Sequence, residues 1–105
     1  MPNLRKAFLM RVNAGREKEY AARHQPIWEE LAAVLKSHGV HNYSIFAGPG
    51  GLLVAYVEIE DEARWRCIAA TEVCARWWHF MSDIMPAKAD GSPVAQDLQE
   101  VFHLD

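Results

Sequence analysis

The chain has 105 residues, half of them hydrophobic and 24% charged, with a formal net charge of −3. That balance belongs to a globular chain and excludes a disordered one. No basic run or basic face is present, so nucleic acid is excluded as a partner.

The opening stretch MPNLRKAFLMRV is too short to span a bilayer, and Arg11 interrupts it, which argues against a secretory leader. The expectation is a cytoplasmic protein without a membrane partner, organised as one domain over residues 1–105. Residues Arg5–Val12 alternate, with Phe8, Met10 and Val12 on one side, and read as a strand. A turn at Asn13-Ala14-Gly15 leads into a helical stretch from Arg16 to His38, which Pro26 must kink or restart. Beyond Pro26, Ile27, Leu31, Val34 and Leu35 form a helical stripe. Val40–Ala47 reads as a second strand, with His41, Tyr43 and Ile45 expected on one face. Gly48-Pro-Gly-Gly51 connects it to the third strand, Leu52–Ile59, which is apolar on both faces. Asp61 and Thr71 are candidate N-caps of a second helical region ending at Met85-Pro86. The tail Asp97–Leu104 is expected to be a last strand.

The order β-α-β-β-α-β is that of the ferredoxin-like motif, an α+β fold whose antiparallel sheet carries helices on one face only. A face left in water should alternate with polar residues, yet the third strand does not. The simplest cover is the same face of a second copy, which predicts a homodimer and a dimeric α+β barrel.

The residues able to do chemistry are few. The tandem Trp77-Trp78 lies in a helical segment where neighbours point about 100° apart. One indole can anchor the core while the other lines a surface or pocket that suits the C–H face of a sugar ring. Tyr20 and His24 are four apart and share a helix face. His24 lies at a helix C-terminus, which is expected to hold some proton on the imidazole. Tyr43 is a second phenol on a half-buried strand. Cys67 and Cys74 are read as two small buried residues beyond disulfide reach. No zinc spacing, HExxH, EF-hand or phosphate loop occurs, so neither a metal nor a cofactor is expected.

These words run through the whole chain: KAF.M.VN at Lys6–Asn13, EY..RH.PIW.EL..VLKSHG at Glu19–Gly39, HNY at His41–Tyr43 and VEIE.E.RW at Val57–Trp65. T.VC.RWW at Thr71–Trp78, D.MPA at Asp83–Ala87 and SPV...LQEVF.L at Ser92–Leu104 complete them. In this order they closely resemble the L-rhamnose mutarotase family. The resemblance implies a dimeric ferredoxin-like fold that interconverts the α and β anomers of L-rhamnose without cofactor or metal. It implies His24 as the proton donor, and Tyr20, Tyr43, Trp77 and Trp78 as substrate contacts. Departures are modest: a glycine-rich hairpin at Gly48–Gly51, Glu29 where a second proline often follows PIW, and His103 at a position often aromatic.

Ring opening needs a proton delivered to the ring oxygen and one removed from the anomeric hydroxyl. An imidazole titrating near neutrality can do either. The second proton-handling group is a tyrosine, a water or His24 itself. Two competing functions share this reading: a cofactor-free monooxygenase on the same dimeric fold, and a ligand-binding module without catalysis.

Overall fold

The computed structural model describes residues 3–105; Met1 and Pro2, part of the stretch read for targeting, lie outside them. Chain order is β1 (Leu4–Arg11), α1 (Glu17–Arg23), α2 (Glu29–Ser37), β2 (Val40–Ala47), a 3-10 turn at Pro49–Gly51, β3 (Leu52–Ile59), α3 (Glu62–Ile68), α4 (Glu72–Met81) and β4 (Gln96–Leu98). The four strands form one antiparallel sheet in the order β2-β3-β1-β4. This is the ferredoxin-like arrangement expected from the element order.

One face of the sheet makes the core. Leu53, Ala55, Val57 and Ile59 of β3 are buried, and β1 sets Met10 opposite Leu53 and Phe8 opposite Ala55. The helices add Tyr20, Leu31, Ile68, Val73, Trp77 and Met81 to the same cluster. The alternate β3 residues, Leu52, Val54 and Tyr56, are only half-buried.

Local chemistry explains the helix boundaries. The stretch that holds Pro26 divides into two short helices, because proline has no N–H to donate to the preceding turn. Both expected caps form: Asp61 Oδ2 accepts from the Arg64 N–H at 2.9 Å, and Thr71 Oγ1 from the Cys74 N–H at 3.4 Å. Gly51 has a φ of +79°, and a Cβ there would stand 2.5 Å from the Val12 carbonyl oxygen, so this crossing requires glycine.

Three expectations need correction. Strand β2 carries a bulge between His41 and Ser44, with Asn42 at a φ of 46°. The extra residue reverses the alternation. His41 therefore pairs across from Glu58 on the outer face and bonds Glu60, while Tyr43 turns to the core side. The last strand pairs only over Gln96–Leu98, against Ala7–Leu9. The residues after it form no strand and hold to β1 through a two-pronged Arg5–Glu100 ion pair. Cys67 is exposed, on the outward side of α3, whereas Cys74 is buried.

Candidate active site

A mostly apolar cavity of about 1020 Å³ opens between the core face of the sheet and the helices. Tyr20, His24, Tyr43, Trp77 and Trp78 all line it, so the fold gathers the five sequence-predicted residues around one space. They come from three elements far apart in the chain: the end of α1, the bulged strand β2 and the middle of α4.

His24 is the residue immediately after α1, where its backbone N–H still bonds the Ala21 carbonyl at 3.1 Å. Its Nδ1 lies 2.8 Å from the carbonyl oxygen of Tyr20. A carbonyl can only accept, so Nδ1 carries the proton and donates it. Nε2 is then the basic nitrogen of the neutral ring, and no protein partner takes it among the described residues. The ring stacks on Tyr20, with centroids 4.5 Å apart, and meets Trp77 edge-on at 5.2 Å. Burial lowers the His24 pKa, and the bond to the Tyr20 carbonyl raises it by less. The helix terminus was expected to favour the charged ring; loss of solvent outweighs it.

The two phenols are held neutral. Burial pushes the Tyr20 hydroxyl up to about 12 and raises that of Tyr43 as well. Both are O–H groups for orienting a ligand's hydroxyls, and neither holds a negative charge near neutrality. Burial also pushes the Cys74 thiol up to about 11, which keeps it an unreactive core group.

The adjacent indoles divide as the helical geometry requires. Trp77 is 8% exposed and wedged against His24, Trp28 at 5.1 Å and Phe80 at 5.7 Å. Trp78 is half-buried on the same cavity. Phe8 and Trp65 also line the cavity and form a trio with Tyr43, at centroid distances of 6.4, 6.1 and 6.3 Å. Sequence reasoning missed both as wall residues. Phe8 could have been found from the apolar face of β1 that also carries Met10, whereas Trp65 gave no periodic signal. Among the described residues, no three His, Cys, Asp or Glu side chains gather as a metal-binding group.

An apolar cavity that carries the His24 imidazole, two neutral phenols and indole walls is suited to acid–base chemistry on a small organic ligand with hydroxyl edges. The sequence profile of the L-rhamnose mutarotase family matches residues 5–104. The L-rhamnose mutarotase of Opitutus terrae is 65% identical over 97% of this chain and 99% of its own length, and that of Escherichia coli is 59% identical over 96% and 98%. The chain belongs to the L-rhamnose mutarotase family. The crystal structure of an L-rhamnose mutarotase from Formosa agariphila superposes with a TM-score of 0.89 at 38% identity, covering 97% of this chain and 99% of that one. A Bordetella bronchiseptica structure named for antibiotic biosynthesis monooxygenase shares the fold alone, at a TM-score of 0.69 and 12% identity over 97% and 100% of the two chains.

Proposed function

We propose that this protein is an isomerase that interconverts the α and β anomers of L-rhamnose, with His24 handling both protons. The observation that carries the mechanism is the bond from Nδ1 to the Tyr20 carbonyl, which leaves Nε2 as a base on the cavity wall. Nε2 takes the proton from the anomeric hydroxyl. The C1–O5 bond breaks, its electron pair stays on O5, and C1 becomes a carbonyl carbon. The Nε2–H then protonates O5. Rotation about C1–C2 presents the other carbonyl face, and the same steps in reverse close the ring. One imidazole suffices because the two transfers are sequential and both oxygens lie on C1. Tyr20 and Tyr43, kept neutral by burial, donate hydrogen bonds to sugar hydroxyls. Trp77 and Trp78 offer indole faces to the C–H side of the pyranose, and the apolar walls suit its methyl group. A single positioned acid–base group supplies about 10²–10⁴-fold, enough for a reaction already spontaneous in water.

The working unit is a homodimer built on the outer face of the sheet. Phe46 is 63% and Leu98 41% exposed there, beside half-buried Leu9, Val54 and Tyr56. The helices cover only the opposite face, and a two-fold axis lets one apolar surface cover its own copy. Cytoplasmic residence fits the exposed, unpaired Cys67 thiol, which suits a reducing compartment.

Saturation-transfer NMR on L-rhamnose tests the activity. Wild-type protein should speed anomer exchange well above the buffer rate, and His24→Asn should lose nearly all of that gain. Acceleration unchanged in His24→Asn would remove the imidazole from the mechanism. Oxygen consumption with a quinol, in the absence of sugar exchange, would favour the monooxygenase reading instead.

A further inference from the structure

Arg23, the residue before the proposed proton carrier, has no role in the mechanism above, yet its side chain is only 11% exposed. Its guanidinium reaches across to α4. Nη1 donates to the Phe80 carbonyl at 2.7 Å and to Asp83 Oδ1 at 2.9 Å, while Nη2 donates to Asp83 Oδ2 at 3.2 Å. Nε donates to Glu19 on its own helix at 3.2 Å, and the guanidinium carbon sits 4.3 Å over the Phe80 ring. The Phe80 ring touches both Trp77 and Trp28. One planar group therefore joins the last turn of α1, which carries His24, to the aromatic wall that His24 meets edge-on. The start of the same segment is tied to the same region, through the Asn13 N–H to the Ile84 carbonyl at 2.7 Å. α1 has only seven residues and is followed by a proline-bearing turn, and this clamp ties its far end to the end of α4.

We infer that Arg23 is a positioning residue, whose fork to Phe80 and Asp83 fixes the edge-on contact of His24 with Trp77 and so the place of the imidazole on the cavity wall where the sugar is held. The inference rests on the mutarotase reading of the site. The fork is also a helix C-terminal cap, because Phe80 has one of the carbonyls that α4 leaves without a helical partner. Capping alone would affect stability; positioning must also move the imidazole and the rate. Lysine keeps the charge but cannot reproduce a planar fork with three acceptors.

The test compares Arg23→Lys with wild type and with Arg76→Ala. Arg76 joins the same α4 to Glu30 of α2 at 2.9 Å, outside the cavity wall. Arg23→Lys should lower kcat for rhamnose anomer exchange by roughly tenfold or more, with a smaller change in KM, since small misplacements of a catalytic group cost up to about 10². Its His24 ring protons, shifted in wild type by the Trp77 ring current, should move. Arg76→Ala should keep wild-type kcat and wild-type His24 shifts. A kcat within twofold of wild type, unmoved His24 protons, or an equal loss in Arg76→Ala would each overturn the inference. Where Arg23→Lys does not fold, Asp83→Asn decides by the same criteria, because it keeps the oxygen acceptor and weakens only the fork. A wild-type protein without exchange activity would refute the mutarotase reading itself, and the His24 shifts would then decide the positioning alone.

Discussion

The ring of His24 sits between a carbonyl that favours its charged form and an apolar cavity that disfavours it. Burial is the larger effect, so its pKa falls below the usual 6.5. In the proposed mechanism the neutral ring is the base, and kcat/KM should therefore rise with pH through an inflection below 6.5 and level off above it. A profile that increases as pH falls below 6.5 would contradict this protonation state. The same shift acts on stability. The unfolded chain binds a proton at this ring at a higher pH than the folded one, so stability should fall as pH drops below 6.5 and stay flat above. In His24→Asn that part of the slope should vanish from thermal melts recorded between pH 7 and 5.5. The two indoles should separate in mutation. Trp77→Ala removes a buried ring from three aromatic neighbours, His24, Trp28 and Phe80, and should cost about 3–5 kcal/mol of stability. Trp78→Ala leaves a more exposed position and should raise KM with a smaller loss of stability. Chemical denaturation and exchange kinetics on both variants check the division.

At the level of elements, the site depends on how α1, β2 and α4 are terminated and bent. The Asp61 cap holds the start of α3, on which Trp65 is carried toward Tyr43. Asp61→Ala should cost about 1 kcal/mol in a denaturant titration, and no loss would discount the cap. Gly51 turns β2 back into β3 in a left-handed conformation against the Val12 backbone. Gly51→Ala should lose at least ~1–2 kcal/mol from the conformation alone, before the clash with a carbonyl that has no room to move. The bulge in β2 matters most to chemistry, because it puts Tyr43 on the cavity side and sends His41 out to Glu60. Strict alternation placed both on one face. Nothing in HNY distinguishes an asparagine in the left-handed region from one in an ordinary strand, so this lay beyond sequence reading.

For the molecule as a whole, the two faces of the sheet have different fates. One is closed by the helices; the other keeps Phe46 and Leu98 open, and the tail residues Val101, Phe102 and Leu104 are exposed as well. A dimer on this face should dissociate in Phe46→Glu, since burying an unpaired charge on an apolar interface is costly. Sedimentation velocity should find dimers for wild type and monomers for the variant; a monomeric wild type would remove the dimer from the account.

Much of this was legible in the order of residues. Strand and helix identity, both caps, the break around Pro26 and the five candidate site residues follow from periodicity, from proline and capping chemistry, and from whole-chain resemblance. These are local properties, or properties of matched words, and they survive without coordinates. The resting charge of His24, the side to which Tyr43 points, the short extent of β4 and the Arg23 clamp do not. Each depends on groups far apart in sequence: a cavity wall that removes water from an imidazole, a strand that pairs one residue out of step, or acceptors on Phe80 and Asp83 reached from α1. Distance through space, which only the folded chain defines, decided them.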